Sequence, residues 1–66
     1  MQVTINGRPH QLSGGVSLAQ AVALLTSAKS GVAAAVNGAV VPRAAWASTA
    51  LAEDDEVEVL TAVQGG

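Results

Sequence analysis

The 66-residue sequence contains no cysteine, and His10 is its only histidine. The absence of cysteine excludes disulfides, thiolate metal sites and a thiol nucleophile. One histidine is too few for a multidentate histidine metal site, and it has no partner for acid–base catalysis. We therefore expect no metal site and no catalytic residue in this chain, and we interpret His10 as a surface residue of a strand.

Positive charge and aromatic side chains are also scarce. The only cations are Arg8, Lys29 and Arg43, the net charge is −2, and Trp46 is the single aromatic residue. Nucleic-acid binding needs clustered cations or a platform on which bases stack. No apolar run approaches the ~20 residues of a membrane span, and the chain does not begin like a signal peptide. The sequence predicts a cytoplasmic protein that binds neither nucleic acid nor membrane.

The first twelve residues predict a β-hairpin around Asn6-Gly7. Apolar residues at positions 1, 3 and 5 alternate with polar ones, which is the period of a half-buried strand. Asn-Gly is the strongest signal for a two-residue type I′ turn. Pro9 cannot donate a ladder hydrogen bond, so the second strand is predicted at a sheet edge. The turn sets the register: Ile5 faces Arg8, Val3 faces His10 and Met1 faces Leu12.

A helix is predicted from Ser17 to Ser30. Ser17 and Gln20 have the spacing of a capping box, in which each side chain bonds a free backbone N–H. Lys29 in the last turn would suit the helix dipole, and Gly31 would supply a left-handed C-cap. The predicted apolar stripe consists of Leu18, Ala21, Val22 and Leu25.

The second half of the chain predicts three more strands. Val32–Val36 is apolar throughout, as expected for a strand covered on both faces. Asn37-Gly38 is a second tight turn, and Pro42 ends the strand Ala39–Val41. Arg43–Ala47 is predicted as a short helical turn that docks Trp46 on the core.

The run Glu53-Asp54-Asp55 is interpreted as a solvated turn that precedes the last strand. From position 56 to position 62 the residues alternate again. Val57, Val59 and Thr61 are predicted on one face, and Glu58, Leu60 and Ala62 on the other. The order of elements predicts a single α+β domain over residues 1–66, with a mixed sheet packed against one main helix and a flexible C-terminal tail.

The tail itself, Gln64-Gly65-Gly66, is the feature most suggestive of function. Glycine lacks a Cβ, so a di-glycine end is thin and adopts extended conformations closed to other residues. Such a tail can thread a narrow tunnel into another protein's active site. The alternative is a frayed terminus, which is common in any protein.

The order of elements, the length and the Gly65-Gly66 end resemble the ubiquitin-like β-grasp sulfur carriers. Within that group, the segments Val36-Asn37-Gly38 and Val40-Val41-Pro42-Arg43, followed by Trp46, are similar to the thiamine-biosynthesis sulfur carriers. The resemblance covers the whole chain and implies the β-grasp fold.

The resemblance also implies a mechanism centred on the Gly66 carboxylate. A carboxylate is a poor electrophile until one oxygen becomes a leaving group, so an adenylating enzyme would first convert it into an acyl-adenylate with ATP. A persulfide sulfur donor would then leave a thiocarboxylate on Gly66, and the sulfur would pass to a thiazole synthase. The chain would be a protein co-substrate, not an enzyme. It would bind no cofactor beyond these transient groups.

Docking to these partners is expected next to the tail. Leu60 and Ala62 are predicted on the sheet face away from the helix, and an exposed apolar patch there is a candidate contact site. Arg43 is interpreted either as a surface ion-pair residue or as a partner contact.

Three alternatives remain open from the sequence. One is the small subunit of molybdopterin synthase, which is also a Gly-Gly sulfur carrier but serves another client. Another is a ubiquitin-like modifier that joins target lysines through Gly66. The third is an interaction module in which the terminal glycines are incidental. The Val-Pro-Arg-x-x-Trp segment favours the thiamine carriers.

Overall fold

The structure, a computed structural model, describes residues 1–28 and 30–62 of the chain. Lys29 and the predicted tail residues Gln64, Gly65 and Gly66 lie outside the described residues. The elements in chain order are β1 (Gln2–Ile5), β2 (Arg8–Gln11), α1 (Leu18–Leu25), β3 (Val32–Val36), β4 (Ala39–Val41), a 3₁₀ helix (Arg43–Ser48) and β5 (Glu56–Thr61).

The five strands form one mixed sheet in the order β2-β1-β5-β3-β4. β1 runs parallel to β5, while the pairs β1–β2, β3–β4 and β3–β5 are antiparallel. The strand that leads into the tail, β5, therefore lies at the centre of the sheet. The predicted mixed sheet with one main helix is confirmed.

The first hairpin has the predicted register. Ile5 pairs with Arg8 and Val3 pairs with His10. Asn6 and Gly7 have φ values of 52° and 80°, the left-handed region that a type I′ turn requires. β2, which contains Pro9, is an edge strand, so the missing N–H disrupts no ladder.

Helix α1 begins as predicted and ends earlier. Ser17 Oγ accepts from the Gln20 N–H at 3.2 Å, and Gln20 Oε1 accepts from the Ser17 N–H at 2.9 Å. The helix stops at Leu25 because Thr26 adopts an extended backbone, and its hydroxyl accepts from the Ala28 N–H at 3.0 Å. A threonine hydroxyl that bonds nearby backbone competes with helix continuation.

The early end corrects three expectations. The helix does not reach Ser30, so no basic residue lies in its last turn. Gly31 has a positive φ of 71° but is not the helix C-cap, which is Thr26. Leu25 is exposed and lies outside the core stripe, which consists of Leu18, Ala21 and Val22.

Strand β3 is covered on one face only, contrary to the sequence-based expectation. Ala34 is buried, whereas its neighbour Ala33 is exposed. The cause is that α1 and the 3₁₀ helix both pack on the same side of the sheet. The core on that side consists of Val3, Ile5, Leu18, Ala21, Val22, Ala34, Trp46, Leu51, Val57 and Val59.

Trp46 is buried in this core, as predicted, and lies on the 3₁₀ helix. Its indole Nε1–H donates to the carbonyl of Val41 at 2.8 Å. A large ring with its one polar group satisfied adds apolar contact to a small core without an unpaired donor. This bond also ties the 3₁₀ helix to the end of β4.

Candidate functional site

The candidate site lies at the end of β5, where the chain leaves the sheet. Thr61 pairs with Val32, and the Ala62 N–H donates to the Gly31 carbonyl at 2.6 Å. The backbone is therefore held to the body of the domain up to residue 62. Four residues, 63–66, follow this anchoring bond.

The sheet presents an open face beside this anchor. Alternation along β5 buries Val57 and Val59 against the helix and leaves Glu58 and Leu60 exposed on the opposite face. Across the ladder, Leu60 pairs with Ala33. Leu60 is 70% exposed, although a leucine on a covered sheet face would be buried. The predicted orientation of Leu60, away from the helix, is confirmed.

Neighbouring strands extend the apolar surface around Leu60. Ala35 pairs with both Glu58 and Val40, and Val40 is 77% exposed. We call the residues Ala33, Ala35, Val40 and Leu60 the open-face patch. They line a shallow concavity of about 240 Å³ together with Ala34, Gly38 and Glu58. An exposed contiguous apolar surface of this kind is characteristic of interaction sites.

The charged side chains on the open face are all negative in the described part of the chain. Glu56, opposite Thr4, and Glu58, opposite Ala35, both point to this side of the sheet. By the strand register, the described residues on this face include no lysine and no arginine. The open face therefore offers an apolar half near the end of β5 and an acidic half farther back along the same strand.

Arg43, the third predicted docking residue, is not brought together with Leu60. Its guanidinium lies 5.2 Å from the centre of the Trp46 ring, the geometry of a cation–π contact. It lines a different concavity, between α1 and the 3₁₀ helix, with Val22 and Thr26. Ala62, in contrast, is exposed and directly follows the strand that carries Leu60.

Three members of the open-face patch are not predictable from the sequence pattern. Ala33, Ala35 and Val40 lie in segments that are apolar throughout, so no alternation distinguishes an exposed side from a buried one. Only an indirect argument indicates that these residues are exposed: one short helix cannot cover both faces of a five-stranded sheet.

Metal-ligand clusters and membrane-spanning helices were considered for the described part of the chain. Within residues 1–28 and 30–62, no group of three or more potential ligands is placed to hold a metal ion. Over the same ranges, no helix combines the length and the apolar composition that crossing a bilayer requires.

A model of the ThiS family matches residues 3–66, which is almost the whole chain. The chain belongs to the ThiS family. This membership confirms the predicted relationship to the thiamine-biosynthesis sulfur carriers. The match extends over the last strand and through Gly65 and Gly66.

Solved structures agree with the ThiS assignment. The crystal structure of the thiamine biosynthesis protein ThiS from Geobacter metallireducens is 29% identical, with a TM-score of 0.79 and complete coverage of both chains. A solution structure of a thiamine biosynthesis protein from the same organism is 30% identical, with a TM-score of 0.80, and covers all of this chain and 88% of the other. The predicted β-grasp fold is thus confirmed.

A curated relative places a ThiS-like segment within a longer protein. A thiazole synthase from Magnetococcus marinus is 36% identical over all 66 residues of this chain. The chain spans 20% of the length of that relative. A segment similar to this ThiS-family chain therefore forms about a fifth of a protein named for thiazole synthesis.

Proposed function

We propose that this chain is the sulfur carrier for synthesis of the thiamine thiazole, with the Gly66 carboxylate as the group that bears the sulfur. The observation that carries the proposal is the ThiS-family match over residues 3–66, which includes the Gly65-Gly66 end. The chain acts as a protein co-substrate, because the catalytic groups belong to its partners. The adenylation step consumes ATP, and we place the chain in the cytoplasm.

Three steps load the sulfur on Gly66. An adenylating enzyme joins a carboxylate oxygen to the α-phosphorus of ATP, and pyrophosphate leaves. The terminal sulfur of a persulfide donor then attacks the acyl carbon and displaces AMP. A thiol cleaves the resulting S–S bond, which leaves a thiocarboxylate on Gly66 and a disulfide on the donor side. The thiocarboxylate sulfur then passes to a thiazole synthase.

The geometry at the end of β5 suits this role. Ala62 is anchored by its bond to Gly31, and the four following residues span at most about 14 Å when fully extended. The active site of an adenylating enzyme must therefore approach within that distance of Ala62. A protein that does so also covers the surface next to Leu60.

We therefore propose that the adenylating enzyme contacts Leu60, together with the rest of the open-face patch, and the adjacent Ala62. The adjacent Glu58 favours a partner surface that carries lysine or arginine beside apolar side chains. Arg43 belongs to a separate contact surface on the helix side of the sheet, because it lies over Trp46.

Mass spectrometry tests the proposed function directly. The purified chain is incubated with the adenylating enzyme of the same organism, ATP and a persulfide donor. We expect a gain equal to the mass difference between sulfur and oxygen, located on Gly66. A chain that lacks Gly66 is the control and should gain nothing, since its carboxylate is one residue, about 3.5 Å, too short.

Other outcomes would redirect the proposal. An isopeptide bond between Gly66 and a lysine, without any thiocarboxylate, would contradict the carrier function and indicate a protein modifier. Transfer of the sulfur to a molybdopterin precursor and not to the thiazole would keep the carrier chemistry but change the client.

A further inference from the structure

We propose that Asn37 is a site of spontaneous deamidation in the folded chain and that the product weakens the second hairpin. Asn6, which precedes glycine in the same type of turn, is protected from this modification. Neither behaviour depends on the proposed function. The two turns share their sequence and backbone geometry, and the hydrogen bonds of the two carboxamides distinguish them.

Asparagine before glycine is chemically labile, and the chain contains two such pairs, Asn6-Gly7 and Asn37-Gly38. The backbone nitrogen of the glycine loses its proton and attacks the asparagine side-chain carbon Cγ. The carboxamide nitrogen leaves as ammonia, and a five-membered succinimide ring forms. One water molecule then opens the ring to give aspartate or isoaspartate, without any change of oxidation state. Glycine favours the attack because it has no Cβ to obstruct it.

The backbone does not distinguish the two sites. The asparagines have φ values of 52° and 50°, and the glycines that follow them have values of 80° and 83°. A Cβ placed on either Gly7 or Gly38 would have no heavy atom within 4 Å, so neither glycine is crowded. Ring closure requires the asparagine to rotate out of the turn conformation, so the reaction starts from a locally opened turn. The rate at each site therefore depends on the free energy of local opening.

Opening at Asn6 is costly because its carboxamide bonds the backbone of a core strand. It donates to the Val59 carbonyl at 3.1 Å and accepts from the Val59 N–H at 2.8 Å. Val59 is 6% exposed, so water does not readily replace the lost partner. A buried backbone group without a partner destabilises the structure. The Asn6 carboxamide is therefore held away from the reactive conformation.

The bonds of Asn37 end on groups at the surface. Its Nδ2 donates to Asp55 Oδ1 at 3.0 Å, and its Oδ1 accepts from the Glu56 N–H at 2.9 Å. Both of these bonds are exposed, so water can replace either of them when the turn opens. Asn37 itself is exposed, and it joins β3 to the edge strand β4. Local opening at Asn37 therefore costs less than at Asn6.

Deamidation at Asn37 should damage its own hairpin. Aspartate at this position cannot donate to Asp55, and it places a second negative charge where the structure has a 3.0 Å hydrogen bond. Isoaspartate carries the backbone through Cβ and so adds one backbone atom to the turn. That turn has two residues and is closed by the pair Val36–Ala39. Because turn length sets the register of a hairpin, the added atom disrupts the pairing of β3 with β4.

Peptide mapping of the aged full-length chain tests the proposed site. The protein is kept folded in mildly alkaline buffer, and samples taken over time are digested with trypsin. Cleavage after Lys29 places the two asparagines in different peptides. Mass spectrometry then measures the exchange of NH₂ for OH in each peptide. We expect Asn37 to deamidate about fivefold to tenfold faster than Asn6, the factor that about one hydrogen bond contributes. Equal rates, or a faster reaction at Asn6, would overturn the proposal.

The same chain unfolded in concentrated urea is the control for intrinsic reactivity. We expect both asparagines to react there at similar rates, because both precede glycine and neither retains its bonds to β5 or to the turn before it. A preference for Asn37 that persists unchanged in urea would contradict the structural cause. An Asn37 that stays intact in the folded chain, while the unfolded chain is fully converted, would overturn the proposal itself.

A double-mutant cycle tests the predicted damage. Asn37→Asp reproduces the aspartate product and should shift the unfolding midpoint in urea to a lower concentration. Adding Asp55→Asn should restore most of the shift, since the new carboxamide donates to the carboxylate at position 37. Asp55→Asn alone is the reference for the second change. An Asn37→Asp chain as stable as the wild type would contradict the predicted weakening of the hairpin.

Discussion

The carboxamide of Asn6 bonds both backbone groups of Val59, a residue 53 positions away in the chain. Nδ2 donates to the Val59 carbonyl at 3.1 Å, and the Val59 N–H donates to Oδ1 at 2.8 Å. The parallel ladder between β1 and β5 ends at the pair Ile5–Val57. The Asn6 side chain therefore continues that ladder in place of a backbone, and so stabilises the strand that carries the tail.

The first prediction concerns this contact. Asn6→Gly retains a residue that tolerates the positive φ of the turn but removes both bonds to Val59. Because the bonds are partly buried, we expect the free energy of unfolding to fall by about 1–3 kcal/mol. Urea denaturation, followed by the fluorescence of Trp46, measures the change.

Asn37→Gly is the matched control for this prediction. Asn37 occupies the same position in the second turn, with a φ of 50°, and its carboxamide bonds the exposed groups Glu56 N and Asp55 Oδ1. Asn37→Gly should therefore lower the free energy of unfolding by less than Asn6→Gly does. Equal losses at the two sites would mean that burial of the Asn6–Val59 contact contributes nothing.

The contrast between these two roles of Asn6 shows what the sequence can predict. The Asn6-Gly7 turn and the pairing of Ile5 with Arg8 were predictable because turn geometry and register depend on adjacent residues. The contact of Asn6 with Val59 depends on the parallel pairing of β1 and β5, which no local pattern indicates. Tertiary structure alone brings these residues together.

Helix α1 and strand β3 also show that local features can be predicted from the sequence, whereas tertiary packing cannot. The capping box predicted the start of α1 because Ser17 and Gln20 act locally, whereas Thr26 ended the helix before its apolar pattern did. Leu60 lies two positions after Glu58 and out of phase with Val57 and Val59, so its exposed face was predictable. Ala33 lies in an unbroken apolar run, and only the one-sided packing of the helices reveals that it is exposed.

The second prediction concerns the start of α1. Ser17→Ala removes the hydroxyl that accepts from the Gln20 N–H and should lower the free energy of unfolding by about 1 kcal/mol. Ser27→Ala is the control, since this exposed serine follows the helix and does not cap it. Equal stability of the two variants in urea would contradict a contribution of the capping box.

The third prediction concerns the only aromatic residue. Trp46→Phe keeps most of the apolar volume but removes the donor to the Val41 carbonyl. The loss of this bond and the smaller ring should together lower the free energy of unfolding by about 1–3 kcal/mol. Thermal unfolding followed by circular dichroism measures the loss, because the variant has no tryptophan fluorescence. An unchanged midpoint would show that the bond to Val41 is not stabilising.

The last prediction separates the function of the tail from the stability of the fold. Gly66→Ala adds a Cβ to a residue that, in the proposed function, must pass through a narrow channel to reach ATP. Misplacement of a reacting group by about 1 Å can cost roughly a hundredfold in rate. We therefore expect adenylation to fall by about two orders of magnitude, measured as ATP–pyrophosphate exchange with the adenylating enzyme. The free energy of unfolding should not change, because the last core residue in the described part of the chain is Val59.

Gly14→Ala is the control that makes the effect of Gly66→Ala specific. A Cβ added at Gly14 has no heavy atom within 4 Å, so this variant should match the wild-type chain in both stability and adenylation. If Gly66→Ala is adenylated at the wild-type rate, the narrow-channel argument is wrong. If it instead loses as much stability as Asn6→Gly, the end of the chain is part of the folded structure, and the carrier function must be sought in another group.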